Sequence, residues 1–329
     1  MEQKAKISVI VVTYNQEATI AKTLESILSQ KIDVPFEIVI GDDASTDGTE
    51  MICRKYAAAY PDRIRYFRRA GNMGLVKNYY QCIEDCQGDF LADCAGDDFW
   101  IDNDKLRKEY EVMISDPEVS IVHTDWRCVN LEGTDPKESD LFLGIDRTKR
   151  KEYPKGTLTP KVLNHDPEGM IHLCTAMFRK DMLMRELKAN PSLFISDEYG
   201  CEDFQIEIAL AQKGKVVYLP DVTLNYRVYE DSISHTPDYY KLFRRIKGNL
   251  LIAERMRRHY GIPVKEVENY YAGQLDFVSA QVFHSGSIEL EKEYANLKSM
   301  LPPMKLRLKT RIKEWLMPHK KLTYFLRKG

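Results

Sequence analysis

The chain has 329 residues, of which 43% are hydrophobic and 30% are charged, so it can bury a core as one large domain or two ordinary ones. Its 48 basic and 50 acidic residues nearly balance, which excludes a protein that coats nucleic acid through its overall charge. No apolar run approaches the roughly 20 residues of a spanning helix, and the first residues lack the apolar stretch of a signal peptide. We therefore expect a cytoplasmic protein, neither membrane-spanning nor secreted, and seven scattered cysteines agree with a reducing compartment.

Short apolar runs alternate with helical patterns in the first third of the chain. The runs are rich in β-branched residues, as in strands that are buried on both faces of a sheet. Between them, apolar residues recur at the spacing of one helix face. This alternation predicts an α/β fold with a mostly parallel, doubly wound sheet and right-handed crossovers. The predicted strands are 7–13, 36–40, 64–67 and 89–94, and the predicted helices are 18–30, 48–60 and 75–86.

The middle of the chain continues this pattern, which changes at about residue 235. A polar stretch at 130–153 has no usable period and is predicted to be a mobile loop. From residue 239 onward the pattern is helical, interrupted by glycine and proline at 261–263 and 302–303, so we predict a C-terminal α-helical extension. Further predicted strands are 119–124, 171–178 and 216–219, and further predicted helices are 105–115 and 203–213.

Polar clusters follow three of the predicted strands. They lie at 13–15, 41–45 and 96–98, each just beyond a buried apolar run. Because the carboxyl ends of parallel strands meet at one edge of a sheet, we expect these side chains to surround one small molecule. For Asn15 and Ser45, capping of the following helix is an alternative to ligand contact.

Two common nucleotide-binding motifs are absent from the sequence. It has neither the Gly-x-Gly fingerprint of a dinucleotide enzyme nor a Gly-Lys-Ser/Thr phosphate loop, which argues against a redox Rossmann enzyme and a P-loop NTPase. Without a glycine-rich cradle, a metal ion is the alternative means of neutralising a diphosphate.

Five motifs are spread over residues 6–235: VVTYNQE at 11–17, EIVIGDDASTDGT at 37–49, GNMGLVKN at 71–78, GDFLADCAGDDFW at 88–100 and CEDFQIEIALAQKG at 201–214. Together they resemble the family 2 nucleotide-sugar glycosyltransferases of the GT-A fold. The resemblance implies inverting transfer of a sugar from a nucleotide diphosphate donor, expected to be a UDP-sugar, to a hydroxyl acceptor with Mn²⁺ or Mg²⁺. It implies a GT-A domain at 1–235, with a nucleotide-sugar half at about 1–125 and an acceptor half at about 126–235, before the helical extension at 236–329.

The resemblance assigns donor-binding roles to residues of the first motifs. Thr13 and Asn15 would line the nucleoside pocket, and the pair Asp42/Asp43 would hold the base, with Asp43 as the direct contact, since carboxylate oxygens accept hydrogen bonds from an imide edge. Lys77 stands where the family usually has arginine, so a point charge replaces a bidentate clamp. The full predicted donor set is Thr13, Tyr14, Asn15, Asp42, Asp43, Asn72, Gly74, Lys77, Asp98 and Arg227.

The run Gly96-Asp97-Asp98 matches the Asp-x-Asp metal motif of the family with one departure. Ala95 replaces the first acid, or that acid is shifted. By resemblance, Asp97 would hold the metal and Asp98 would orient a ligand or the donor sugar; capping of the next helix is the structural alternative. His235 would be a third metal ligand or an ordinary loop histidine, and Arg227 a phosphate contact or a surface salt-bridge partner.

Glu202 and Asp203 match the Glu-Asp pair that opens the acceptor-side helix of the family. Asp203 would be the base that takes the proton of the acceptor hydroxyl, and Glu202 its neighbour or an acceptor ligand. Adjacent carboxylates repel each other, which tends to raise the pKa of one of them. Two alternatives remain: acids that merely favour a helix N-terminus, and a nucleotide-sugar-binding module that has lost catalysis, as Ala95 suggests.

The C-terminal residues are strongly basic, with a net charge of +8 over 305–329 against −10 for the rest of the chain. They include a predicted amphipathic helix that ends before Pro318. This helix either lies on an anionic membrane surface or packs on the acidic body of the protein. Membrane contact would favour a lipid-linked saccharide over a free saccharide as acceptor. The apolar face consists of Leu308, Ile312, Trp315 and Leu316.

Overall fold

The computed structural model describes residues 6–137, 146–228 and 238–318, and within them nine strands form one mixed sheet. The strands are β1 (Ile7–Thr13), β2 (Phe36–Asp42), β3 (Ile64–Arg68), β4 (Phe90–Asp93), β5 (Phe99–Trp100), β6 (Val119–Val129), β7 (Lys151–Tyr153), β8 (Ala176–Arg179) and β9 (Lys215–Arg227). The helices are α1 (Ile20–Leu28), α2 (Thr49–Ala59), α3 (Leu75–Asp85), α4 (Lys105–Ser115), α5 (Thr159–Leu163), α6 (Lys180–Ala189), α7 (Pro191–Phe194), α8 (Asp203–Lys213), α9 (Tyr239–His259), α10 (Glu268–Ser285), α11 (Ile288–Met300) and α12 (Leu308–Leu316).

The order of the strands is β3-β2-β1-β4-β8-β6-β9-β5, and β7 pairs with β9. The first four strands run parallel to one another, as predicted. β8 is antiparallel to both β4 and β6, whereas β6 and β9 are parallel. The register pairs Thr13 at the end of β1 with Asp42 at the end of β2, so the polar residues after these strands emerge side by side.

Helices cover both faces of the sheet because its central strands are apolar on both sides. In β1, Ile10 and Val12 belong to one core, and Val9 and Val11 belong to the other. The first core includes side chains of α3, α8 and the C-terminal helices α9 to α11, and the second includes those of α1 and α4. The helical extension therefore continues the core of the α/β unit. No helix in the described part of the chain is long and apolar enough to cross a membrane.

The predicted strand at 171–178 and the predicted loop at 130–153 differ from the structure in their type of secondary structure. The run at 171–178 becomes a strand only at Ala176, because the Thr175 N–H first donates to His172 O at 2.8 Å and closes a short 3-10 turn. The stretch at 130–153, predicted to be a loop, contains β7, which pairs with β9. Three residues are too few to show a period, so only the pairing partner identifies this strand.

Candidate functional site

The loops that follow β1 and β2 are tied together by Asn15. Its backbone is left-handed (φ 53°), and its Oδ1 accepts a hydrogen bond from the Thr46 N–H at 2.8 Å. The Asn15 N–H donates to Ser45 Oγ at 3.0 Å. Asn15 is not the cap of α1, because the N-cap residue is Thr19. It fixes the relative position of two site loops, and the neighbouring Tyr14 ring is exposed.

Asp42 lies deeper than the sequence predicts. It is fully buried, and its Oδ1 accepts the Ser45 N–H at 2.9 Å while its Oδ2 accepts the Tyr66 hydroxyl at 2.6 Å. A base cannot reach a carboxylate with no exposed surface. Asp42 therefore shapes the loop from inside, contrary to the prediction that it helps to hold the base.

Asp43 fixes the start of α3. Its two oxygens accept the N–H groups of Met73 and Gly74 at 2.7 and 2.9 Å. Asn72 Oδ1 accepts the same Gly74 N–H at 3.2 Å, and Gly74 has φ 87°, a conformation that favours glycine. Each Asp43 oxygen has a second lone pair, so Asp43 remains the candidate for contact with the base.

Helix α3 connects the donor-side loops to the segment that precedes α8. Lys77 is half exposed, and its Nζ lies 2.7 Å from Asp197 Oδ1. One turn later, the Tyr80 hydroxyl donates to the backbone oxygen of Glu202 at 3.3 Å. Helix α3 thus carries the predicted donor residue Lys77 one turn from its contact with the predicted acceptor residue Glu202.

Two buried polar atoms beside Gly96 have no hydrogen-bond partner within the described ranges. They are Thr13 Oγ1 and Gln16 Oε1. A Cβ on Gly96 would lie 3.0 Å from Thr13 Oγ1 and 2.3 Å from Gln16 Oε1, so glycine is the residue that fits here without displacing these side chains. Buried polar atoms are nearly always satisfied in folded proteins.

The acidic turn after Gly96 is held by Arg227. The Arg227 N–H donates to Asp98 Oδ1 at 2.8 Å, and its guanidinium donates to the backbone oxygens of Asp97 and Leu131. Arg227 is buried, so it is not the surface salt-bridge partner of the sequence alternative, and its role as a phosphate contact stays a prediction. Asp98 is also buried and accepts the Arg227 N–H, and its role in orienting a ligand or the donor sugar stays a prediction. Burial and the charge of Asp97 raise the pKa of Asp98.

Asp97 is the member of this turn that fits a metal ion. Its side chain is partly exposed, and it directly follows Gly96. No three His, Cys, Asp or Glu side chains among the residues placed by the structure form a metal-binding group. Mg²⁺ and related ions commonly use one or two carboxylates, with substrate phosphate and water as the other ligands. His235, the predicted third ligand, lies outside the described residues.

The pair Glu202-Asp203 lies at the start of α8, as predicted. Glu202 is the N-cap residue, and Asp203 Oδ1 accepts the Phe204 N–H at 2.7 Å. Burial and the charges of Asp203 and Asp93 raise the pKa of Glu202 well above its ordinary value. The predicted repulsion therefore acts on Glu202, whose protonated form is favoured by burial and by the neighbouring charges.

Asp93, at the end of β4, was not identified from the sequence and lies between the two acidic pairs. Burial and the charge of Asp203 raise the pKa of Asp93 to about 7. Asp93 in turn contributes to the raised pKa of Glu202 and of Asp98. In each case its contribution is smaller than that of burial and that of the adjacent acid, which is Asp203 for Glu202 and Asp97 for Asp98. The turn that carries Asp97 and the start of α8 therefore share one electrostatic site. The available signal was an acid at the end of an otherwise apolar strand.

An aromatic cluster lies beside the same acids. The His172 ring is 5.1 Å from the Trp126 ring and 4.8 Å from the Tyr226 ring. Burial lowers the pKa of His172 to about 4, although the charge of Asp203 opposes this shift. His172 is thus a buried, neutral imidazole within the field of Asp203.

Comparisons with known proteins show what the whole chain is similar to. A Mycobacterium tuberculosis protein of uncharacterised function is 26% identical over 230 residues, which are 70% of this chain and 61% of that protein. The chain therefore spans about three fifths of the length of that relative. The minor teichoic acid biosynthesis protein GgaB of Bacillus subtilis is 23% identical over 237 residues, which are 69% of this chain and 23% of GgaB.

Solved structures establish the fold. Residues 1–349 of S. aureus TarS, in complex with UDP-GlcNAc, match with a TM-score of 0.57 and 19% identity over 96% of this chain and 92% of TarS 1–349. The mannosyltransferase PcManGT from Pyrobaculum calidifontis, in complex with GDP-Man and Mn²⁺, matches with a TM-score of 0.54 and 19% identity over 99% of this chain and 87% of PcManGT. The expected GT-A fold is confirmed. The family model "Glycosyl transferase family 2" matches residues 8–186, more than half of the sequence, and the chain belongs to this family.

Proposed function

We propose that the protein transfers a sugar, with inversion, from a nucleoside diphosphate donor to a hydroxyl of a saccharide acceptor, using Mn²⁺ or Mg²⁺. The observation that carries this proposal is that helix α3 contacts both predicted halves of the site: Asp43 accepts the Met73 and Gly74 N–H groups at its start, and the Tyr80 hydroxyl donates to the backbone oxygen of Glu202. Direct displacement requires the donor diphosphate and the acceptor hydroxyl to meet in one place. A helix that contacts both the Asp43 loop and the start of α8 supports such a meeting.

The proposed donor half comprises residues 1–125. Thr13 and Asp43 would contact the nucleoside, and Lys77 would place a cation near the diphosphate. Asp97 would hold the metal ion, which supplies positive charge to the departing diphosphate when it is bound. The UDP-GlcNAc complex of TarS supports a UDP-sugar as the first donor to test.

The proposed acceptor half comprises residues 126–235. Asp203 would take the proton of the acceptor hydroxyl as the new glycosidic bond forms. Burial and the charge of Asp203 raise the pKa of Glu202 well above its ordinary value, which favours its protonated form. A protonated carboxyl can donate a hydrogen bond to the acceptor, which a second carboxylate could not do.

The acceptor is proposed to be a free or lipid-linked saccharide in the assembly of a surface polysaccharide or glycolipid on the cytoplasmic side. The name of GgaB, a teichoic acid biosynthesis protein, supports a cell-surface polymer. Both halves of the reaction would lie in the GT-A domain, and the proposed helical extension at 236–329 would take no part in the transfer.

Two variants separate the metal and base roles. In calorimetry with UDP, Mn²⁺ should tighten binding to the wild-type protein, and Asp97→Asn should lose that gain. Asp203→Asn should bind UDP with Mn²⁺ as the wild type does, yet lose roughly 100-fold or more of the transfer rate. Transfer is measured with a panel of nucleotide sugars and saccharide acceptors.

Asp181→Asn is the matched control, because Asp181 is also an acid in the first turn of a helix, α6, and is exposed. It should leave both UDP binding and transfer unchanged. A Mn²⁺ gain that survives in Asp97→Asn would refute the metal assignment. Loss of UDP binding in Asp203→Asn would place Asp203 in the donor site instead.

A nucleotide-sugar-binding module is the second candidate function, favoured by Ala95 in the place of the first acid of the metal motif. It predicts full UDP binding by the wild-type protein without donor hydrolysis or transfer. Any turnover that depends on Asp203 excludes it.

A further inference from the structure

Helix α12 packs on the body of the protein through its polar side. Asp276, a buried residue of α10, accepts a hydrogen bond from Thr310 Oγ1 at 3.0 Å and pairs with Lys309 Nζ at 2.6 Å. Arg307 and Lys313 each have a nitrogen 3.7 Å from an Asp276 oxygen. One buried carboxylate thus fixes three cations and one hydroxyl of the C-terminal segment.

A second contact fixes the far end of the helix. Glu314 accepts a hydrogen bond from the Tyr294 hydroxyl at 2.8 Å and pairs with Lys298 Nζ at 2.7 Å, both on α11. Leu316 packs against the core, so it does not share the outer face as the sequence predicts. The basic segment therefore docks on the body, one of the two alternatives from the sequence, and these contacts determine which side of α12 faces outward.

The outward side of α12 is apolar. Leu308 is 71% exposed, Ile312 is 49% exposed and Trp315 is 60% exposed. Their i, i+4, i+7 spacing places them on one stripe of the helix. A surface helix ordinarily turns such a stripe toward the core, and α12 does the reverse. A contiguous exposed apolar surface is typical of an interaction site.

Positive charge surrounds this stripe. Lys305 and Arg311 are exposed, and Asp276 balances one of the three cations that it contacts. Glu314 is already paired with Lys298, so it does not offset the remaining cations. The sequence after residue 318 adds four cations and no acid: Lys320, Lys321, Arg327 and Lys328.

We propose that this face of α12 docks on the surface of an anionic membrane. Leu308, Ile312 and Trp315 would enter the boundary between headgroups and acyl chains, while the surrounding cations contact the anionic headgroups. Each cation close to such a surface strengthens binding roughly fivefold at low salt. The proposal concerns where the protein binds and does not depend on the proposed sugar transfer.

Charge and size favour a membrane over a second copy of the chain. Two copies that met through this face would bring their excess cations together, which opposes association. Three side chains are also far fewer than the roughly 20 residues that each partner contributes to a stable protein interface. A lipid surface needs neither shape complementarity nor a large area.

Vesicle flotation of the full-length protein tests the proposal. Vesicles of phosphatidylcholine with about one third phosphatidylglycerol should carry the protein upward at low salt, and phosphatidylcholine alone should not. The double variant Leu308→Glu/Ile312→Glu should lower binding to anionic vesicles about tenfold or more, because it puts carboxylates into the apolar stripe. The pair Lys305→Gln/Arg311→Gln keeps the stripe and should weaken binding chiefly at low salt.

Met51→Glu is the matched control, since Met51 is 72% exposed on α2, outside the C-terminal helices. It should float as the wild type does. A wild-type protein that ignores anionic vesicles overturns the proposal, as does a Leu308→Glu/Ile312→Glu variant that floats normally. A concentration-dependent dimer that this variant abolishes in sedimentation would identify a second copy as the occupant and also overturn it. UDP binding in solution is measured separately, so failure here is distinct from failure of the sugar-transfer proposal.

Discussion

Replacing Asp93 with asparagine removes a buried carboxyl that the fold keeps protonated. Burial and the charge of Asp203 raise its pKa from 3.8 to about 7, and its side chain is only 3% exposed. Each pKa unit corresponds to 1.36 kcal/mol between the two protonation states, so ionised Asp93 costs the folded state about 4 kcal/mol above pH 7. Asparagine has nearly the same shape and cannot ionise, so it avoids this cost.

The sign of the pH dependence follows from linkage. Between pH 3.8 and about 7 the folded chain holds a proton on Asp93 that the unfolded chain has released. The favourable contribution of the protonated group is therefore complete below pH 3.8 and is lost as pH rises through 7. We expect the stability gain of Asp93→Asn over the wild type to grow by about 3 kcal/mol between pH 5 and pH 8.5.

Urea unfolding of both proteins at several pH values measures this difference. Asp62→Asn, at an exposed turn after α2, is the control and should give a difference that does not change with pH. Parallel stability curves for Asp93→Asn and the wild type would refute the reasoning, because they would mean that Asp93 is ionised in the fold at little cost.

Two further changes test the surroundings of the site. Lys105→Met leaves Glu109, its fully buried partner at 2.7 Å, without a counter-charge. This change should lower the free energy of unfolding, measured in urea, by about 3–5 kcal/mol, and adding Glu109→Leu should restore most of that loss. Gly96→Ala puts a Cβ 2.3 Å from Gln16 Oε1, so it should weaken UDP binding in calorimetry about tenfold or more, at a stability cost of about 1–3 kcal/mol. A Lys105→Met/Glu109→Leu variant that is no more stable than Lys105→Met would contradict the first expectation. Wild-type UDP affinity in Gly96→Ala would contradict the second.

The parts of the fold that the sequence predicts well are those that local patterns determine. β1 and β2 are continuous apolar runs because both of their faces are buried, and their bounds differ little from the prediction. The antiparallel direction of β8 is not predicted from the sequence, because it depends on pairing with β4 and β6, which local periodicity does not report. The motif that contains Asp97 follows β4, as expected for a polar cluster at the end of a parallel strand.

The roles of individual side chains in the motifs depend on distant residues. Arg227 ends β9, and its contacts with Asp97 and Asp98 bridge about 130 positions of sequence. Asp42 and Asp43 are adjacent and both buried, and their partners distinguish them: Asp42 accepts the Tyr66 hydroxyl, whereas Asp43 accepts the Met73 and Gly74 N–H groups. The same limit applies to α12: the sequence gives an amphipathic helix, but the buried Asp276 decides which face turns inward.

The acid that the metal motif lacks at Ala95 has a counterpart two residues earlier. Side chains two apart on an extended chain point to the same face, and Asp93 and Ala95 both contact Cys174: Asp93 Oδ2 lies 3.8 Å from its Sγ, and the Ala95 N–H donates to that Sγ at 3.3 Å. Moving the acid two residues back along β4 takes it into the interior, where burial raises its pKa to about 7. The carboxyl then acts on Glu202 at the start of α8, whose pKa it helps to raise. Asp97 is left as the partly exposed carboxylate beside Gly96, so a metal ion held there would depend on donor diphosphate for its other anionic ligands.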